Sequence, residues 1–437
     1  MRNLTFLAAA FVIPTSLGSA QATSTSIPSP LTLAQAIELG RQRGVNAALA
    51  RLNITAADAK VGQRRADLLP TLDASGAWSR QTRNLDEVGI PFAIGVTPDY
   101  NLWYFQAHGS QTLFNASLFA RYKAAVDSAQ AAGFDAQGIG ELAASTAGQA
   151  YLQAISAHET VRAREADSTI AASLLDQARQ LVAAGVSPVI DETRSSVNFA
   201  AVKSQLLIAR NERDRARLEL ARVLELTSAD SLVLADSLGM PALDLPRDPA
   251  AAVAFAIEHR AETAAEQRRT TAMTKSLKAI RYENLPNLSV GAQAIGSGRE
   301  SDNIAFSYNY GVQLSVPILD GWKRPMRYKE QEARLEAQRV HEQDVALQVE
   351  VEARQALLDL ASAEQQVAVA KERLQLAEQE LAQAEERFRA GVAGSVETTN
   401  AQGSVFTGRN ALIQAKVNYG TARVAAYRAL GVLNQLQ

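Results

Sequence analysis

Four histidines and no cysteine are what this 437-residue sequence offers for chemistry. His108, His158, His259 and His341 fall in separate segments. None stands three or four residues from another, the spacing that would put two imidazoles on one helix face for a metal. Without cysteine there is no thiol nucleophile, no disulfide and no zinc–thiolate centre. Gly138-Ile139-Gly140-Glu141-Leu142-Ala143 spells a dinucleotide fingerprint, but no strand precedes it and it lies inside a long helical stretch, so it lacks the turn that cradles a pyrophosphate. Glu378-Gln379-Glu380 and Glu385-Glu386-Arg387 are solvated helix faces. Two carboxylates stand out by position. Asp191 and Glu397 each follow six residues after a glycine, in matching Ala184-Gly185-Val186 and Ala390-Gly391-Val392 turns. At the start of a helix each is favoured by the dipole. No catalytic constellation, cofactor or metal site is expected, and Lys+Arg of 44 against Asp+Glu of 46 gives no bulk charge for nucleic acid.

The first 22 residues have the order of a secretory signal. Arg2 is followed by an apolar run from Leu4 to Ile13, Pro14 breaks it, and Ala20-Gln21-Ala22 offers a cleavage site. That run is too short to cross a hydrocarbon core, which takes about 20 helical residues. Cleavage after Ala22 is expected, without lipid attachment at a cysteine. No later stretch is apolar enough for a membrane helix, so any span must be made of strands.

The remaining chain repeats one plan. Leu69-Pro70-Thr71-Leu72 recurs as Leu285-Pro286-Asn287-Leu288, and Leu113-Phe114-Asn115 as Ile318-Leu319-Asp320. Ala184-Gly185-Val186 with Asp191 and Thr193 recurs as Ala390-Gly391-Val392 with Glu397 and Thr399. Each copy is expected to run helix, strand, loop, strand and two long helices. The expected divisions are 23–226 and 261–437, joined by a linker at 227–260. The first helix starts at a Thr32 cap and runs to Pro70. The longest, Pro325 to Ala390, would span about 98 Å at 1.5 Å per residue, more than a compact domain can use. Its heptad row is Val367, Ala370, Leu374, Ala377, Leu381, Ala384 and Phe388. The return helix carries two rows, one through Leu412, Ala415, Tyr419, Ala422, Ala426, Ala429 and Leu433, the other through Ile413, Val417, Gly420, Val424 and Tyr427. One apolar seam makes an ordinary coiled coil. Two offset seams require neighbours on both sides, as in a cylinder of helices.

Four segments alternate with period two, at about 72–83, 101–114, 287–297 and 303–316. In the last, Ile304, Phe306, Tyr308, Tyr310, Val312, Leu314 and Val316 oppose Ala305, Ser307, Asn309, Gly311, Gln313 and Ser315. Apolar and aromatic residues on one face, with small and polar residues on the other, suit a barrel wall between lipid and water. Four strands cannot close, and open edges are not tolerated in lipid. Chains must therefore pool strands. Two chains would give a filled eight-stranded barrel, and an open bore takes at least three.

The order of elements, the Leu-Pro strand entries, Pro317-Ile318-Leu319-Asp320-Gly321 and the closing Tyr427-Arg428-Ala429-Leu430-Gly431 resemble the TolC-type outer membrane efflux protein family, over essentially the whole chain after the signal. The resemblance implies a mixed α/β membrane protein: a homotrimer with a 12-stranded outer-membrane β-barrel continued by a 12-helix periplasmic coiled-coil tunnel. It implies a non-enzymatic exit duct of a tripartite efflux pump, partnered by a periplasmic adaptor protein and an inner-membrane transporter. Ala184, Gly185, Val186, Ala390, Gly391 and Val392 would be adaptor-docking tips. Glu397 matches a carboxylate position lining the periplasmic aperture, with Asp191 its counterpart in the first copy. Asn400 stands where that family often has a second acid. The same fold serves as the exit of type I protein secretion; a soluble periplasmic coiled-coil scaffold is the alternative outside the family.

Overall fold

The computed structural model describes residues 30–84, 95–226, 232–235, 238–239 and 245–436. The expected signal segment lies outside the described residues. Helix dominates, with one four-stranded sheet. Helices α1 (Leu33–Gln42) and α2 (Val45–Ala66) lead to strands β1 (Thr71–Gln81) and β2 (Tyr100–Phe114), then to the long α3 (Ala116–Ala183) and its return α4 (Val189–Val223). Next come α5 (Pro249–His259), α6 (Ala261–Tyr282), β3 (Asn287–Glu300), β4 (Asn303–Ser315), α7 (Lys323–Arg389) and α8 (Ser395–Ala429). Helices α3 and α7 have 68 and 67 residues, and α4 and α8 have 35 each.

Local chemistry explains the boundaries, including two that differ from expectation. Thr32 caps α1 with a full capping box, but the helix does not run on to Pro70. Gly44, at φ 109°, breaks it in two. The linker 227–260 is not all connector, because Asp248 accepts the Ala251 N–H and Pro249 takes the first helical turn of α5. There a missing N–H costs nothing and the fixed φ helps. Asn115 caps α3 by accepting the Leu118 N–H, and Asp320 accepts the Arg324 N–H at the start of α7.

The sheet runs β1-β2-β3-β4, antiparallel throughout. Directly opposed residues share a face, so the register decides which alternations belong together. Gly76, Phe105, Gly296 and Phe306 form one row, and Ala74, Ala107, Ala294 and Tyr308 the next. The four alternating segments therefore present their apolar residues on one common face. That face is bare within the chain: Tyr308 and Tyr310 are each 80% exposed. Strands β1 and β4 each pair on one side only.

The two seams of α8 find separate partners. Ala415, Tyr419, Ala426 and Ala429 pack with Ala356, Leu360, Ala363 and Val367 of α7. Val417 packs with Tyr151 and Ile155 of α3, and Gly420 lies so close to α3 that a Cβ there would meet Leu152 Cδ2 at 3.0 Å. Other apolar stripes have no cover among the described residues. Val340, Leu347, Val351, Leu358, Val369 and Leu376 recur on α7 at spacings of four, seven or eleven residues, all exposed. Ile190, Val197 and Ile208 do the same along α4.

Helix α8 ends at Gly431, φ 73°, with the Gly431 N–H to Arg428 O and the Val432 N–H to Tyr427 O. This double bond pattern is the Schellman cap. A Cβ at Gly431 would also lie 2.8 Å from the His259 carbonyl group. Gly431→Ala should therefore lower stability by about 2 kcal/mol or more, the left-handed cost plus a backbone clash. Gly185→Ala should cost only about 1 kcal/mol, since nothing stands within 4 Å of a Cβ there at the same φ. Thermal unfolding of the two variants side by side checks this; equal losses would exclude the clash.

Candidate functional site

The hairpin ends are built by the same cap. In the first, the Gly185 N–H binds Val182 O and the Val186 N–H binds Leu181 O; in the second, Gly391 binds Phe388 O and Val392 binds Arg387 O. Gly185 and Gly391 have φ of 72° and 70°, so each glycine reverses the chain where other side chains would be strained. The two turns meet: a Cβ on Gly391 would lie 3.3 Å from Val186 Cγ1. Ala184, Gly185, Val186, Ala390, Gly391 and Val392 are all exposed, leaving an apolar tip open to a partner.

Just past the turns the two copies diverge. Glu397 is exposed and takes an ion pair from Arg387 Nε at 2.9 Å, and Asn400, one turn on, is exposed too. Asp191 differs from the expectation of an open aperture carboxylate. It is 4% exposed, turned into the contact with α8, and accepts the Ser395 hydroxyl at 2.6 Å. The copies also differ two residues earlier. The residue two before Asp191 is Val189, which faces outward, whereas the residue two before Glu397 is Ser395, fully buried. Thr398 locks the same turn by donating to Ser395 O at 2.9 Å. The structure thus separates the three: Glu397 and Asn400 face solvent, and Asp191 joins the hairpins.

A second polar cluster, not singled out from sequence, lies farther from the tips, between α3 and α8. Asp167, 2% exposed, accepts Arg164 Nη1 at 2.9 Å and Arg409 Nη1 at 2.6 Å. Arg164 also donates to Asn410 Oδ1 at 2.5 Å and lies over the Phe406 ring, 3.4 Å from its centroid. Burial lowers the Arg164 guanidinium from its ordinary value against the opposing pull of Asp167. The signal was present: Arg164 and Asp167 occupy a seam continued by Val161, Ala171 and Leu174, all buried. Charges within an apolar seam must meet a partner.

Among the described residues no cluster of His, Asp or Glu could hold a metal, and no helix is long and apolar enough to cross a membrane. The described residues form a sheet with a bare apolar face attached to helices about 100 Å long. The outer membrane efflux protein model matches residues 37–225 and 255–432. The chain belongs to the outer membrane efflux protein family. It is an outer-membrane exit duct for efflux. Among characterised relatives it is similar to the pyoverdine export outer membrane protein OpmQ of Pseudomonas aeruginosa, 22% identical over 89% of this chain and 82% of that one. In fold it is similar to the CmeC outer membrane channel of Campylobacter jejuni (TM-score 0.75, 17% identity, 99% of this chain and 94% of that one). The open-state MtrE outer membrane channel of Neisseria gonorrhoeae is alike to the same degree (TM-score 0.76, 17% identity, 92% and 89%).

Proposed function

We propose that three copies of this efflux protein close a twelve-stranded barrel in the outer membrane and continue it as a twelve-helix tunnel through the periplasm. The tunnel would be a passive path for small molecules passed on by a periplasmic adaptor and an inner-membrane transporter. The observation that carries the assembly is the pair of half-paired edges, β1 and β4, on a sheet whose apolar face is bare. Such edges must be paired in lipid, and the uncovered stripes on α4 and α7 offer matching seams between neighbouring copies. Residues 1–22 would direct export and be removed after Ala22. The domain plan is two repeats, 23–226 and 261–437, with α5 adding to the second. The tips at 184–186 and 390–392 would seat the adaptor.

The cargo is proposed as small molecules, in keeping with the pyoverdine export in the relative's name. Cells lacking the protein should retain a small fluorescent dye, and the wild-type chain should restore its loss. Unchanged dye retention together with loss of a protein from the medium would favour type I secretion instead. A soluble scaffold would have no use for tyrosines 80% exposed along one strand.

Three copies of Glu397 around the axis, each paired with Arg387, would form a charged ring at the narrow end, and loss of the carboxylates would leave three guanidinium groups that disfavour cations. Asp191 would hold the two hairpins together there rather than face the path. Glu397→Gln should lower the cation preference of single channels, and Asn400→Asp should raise it by adding a second ring, both effects shrinking at high salt. Reversal potentials identical to wild type at low salt would remove these side chains from the aperture.

A further inference from the structure

The histidine that spacing left unassigned gains a setting from the register. Asp73 on β1 lies opposite His108 on β2, His108 opposite Gln293 on β3, and Gln293 opposite Asn309 on β4. Directly opposed residues share a face, and this one is opposite the aromatic face of Phe306, Tyr308 and Tyr310. Every strand thus contributes a polar side chain to one row across the sheet. On one side the next row is small, with Gly291 and Gly311 against Ser110. The imidazole leans towards that space: a Cβ at Gly291 would lie 3.9 Å from His108 Cε1. On its own strand His108 is flanked on this face by Gln106 and Ser110. Across β1 it faces Asp73 between Thr71 and Ser75, and across β3 it faces Gln293 between Gly291 and Ile295. Asp73 is the one charged partner among them.

We propose that Asp73, His108, Gln293 and Asn309 form a polar row on the inner wall of the barrel, repeated in each copy as a broken belt, and that protonation of His108 sets the ion preference of the pore. The inference rests on the trimeric channel, in which the inclined row recurs in each copy and three-fold symmetry sets three carboxylates at one height and three imidazoles at the next. With the imidazoles neutral, the three carboxylates leave the set negative. Histidine is the side chain that changes charge between pH 5 and 8, and three imidazolium groups would cancel three Asp73 carboxylates. Twelve tilted strands spaced about 4.8 Å apart give a backbone radius of about 12 Å, so these charges lie about 10 Å from the axis. In water at 0.1 M salt that is about one Debye length, and three charges then change the cation-to-anion ratio on the axis about fourfold. The belt therefore acts on charged cargo as a sieve distinct from the tips, at the opposite end of the duct.

The test is reversal-potential measurement on the purified protein in planar bilayers, with a potassium chloride gradient near 0.1 M, at pH 7.5 and 5.5. Wild type should lose cation preference by about fourfold on acidification. His108→Gln should keep the neutral-pH preference at both values, since the row then lacks its imidazole. Asp73→Asn should be less cation-selective at pH 7.5 and turn towards anions at pH 5.5. A pH response that survives in His108→Gln, or none in wild type, would overturn the belt while leaving the channel intact. Absence of any pore conductance would overturn the channel reading and this inference with it.

Discussion

Val312→Arg should cripple assembly of the barrel while Gln313→Arg, one residue away, should leave it nearly intact. Val312 is opposed to Val290 and lies on the bare face with Tyr308 and Tyr310; Gln313 is opposed to Ser289 on the other face. In the proposed trimer the first points into the bilayer, where a guanidinium near mid-membrane costs about 2–4 kcal/mol, falling towards zero near the interfaces. The second points into water. A loss of that size in each of three chains is multiplied by the symmetry of the assembly. The measurement is the yield of heat-modifiable oligomer in the outer-membrane fraction, with the midpoint at which each variant dissociates. Equal yields for the two would mean that the faces are assigned the wrong way round.

The second large effect is expected far from the membrane. Asp167→Leu should destabilise the helical tunnel by about 3–5 kcal/mol, because it leaves Arg164 buried with its charge uncompensated. Arg164 is 6% exposed and keeps only Asn410 as a hydrogen-bond partner once Asp167 is gone. Replacing the ion cluster as a unit is a different matter. Asp167→Leu with Arg164→Met and Arg409→Leu should recover most of the loss, since an apolar filling is often neutral or stabilising where a broken pair is not. Thermal dissociation of the oligomer separates the cases. If the single and triple variants fall equally far, burial of unpaired charge is not the cause.

Much of the fold was legible because its elements follow simple periods. The row from Val367 to Phe388 is buried as spaced, with Leu374 only partly so, and the paired rows of α8 meet α7 and α3. Alternation placed strand β4 within a residue of its bounds, and β1 and β3 within three. What stayed hidden depended on tertiary neighbours. Gly44 was one glycine among 25, and nothing local distinguished its break from a tolerated helical glycine. Pro249 counted as a breaker until Asp248 made it the first residue of a helix. The hairpin ends were half legible: the Ala-Gly-Val turns and the exposed carboxylate at Glu397 followed from the repeat. The burial of Asp191 did not, because Ser395, its partner, is 204 residues away. The Asp73 and His108 pair needs the β1–β2 register, which the intervening loop conceals.

The proposed assembly closes its barrel only as three copies of this chain. Its most direct test is the mass of the protein extracted from outer membranes, measured by light scattering with the detergent contribution removed and circular dichroism on the same peak. Three chains in one particle, with strand and helix signals intact, is the result expected. A monodisperse single chain with the full strand signal would contradict it, because β1 and β4 would then be folded with open edges in detergent and the barrel would have no need of partners.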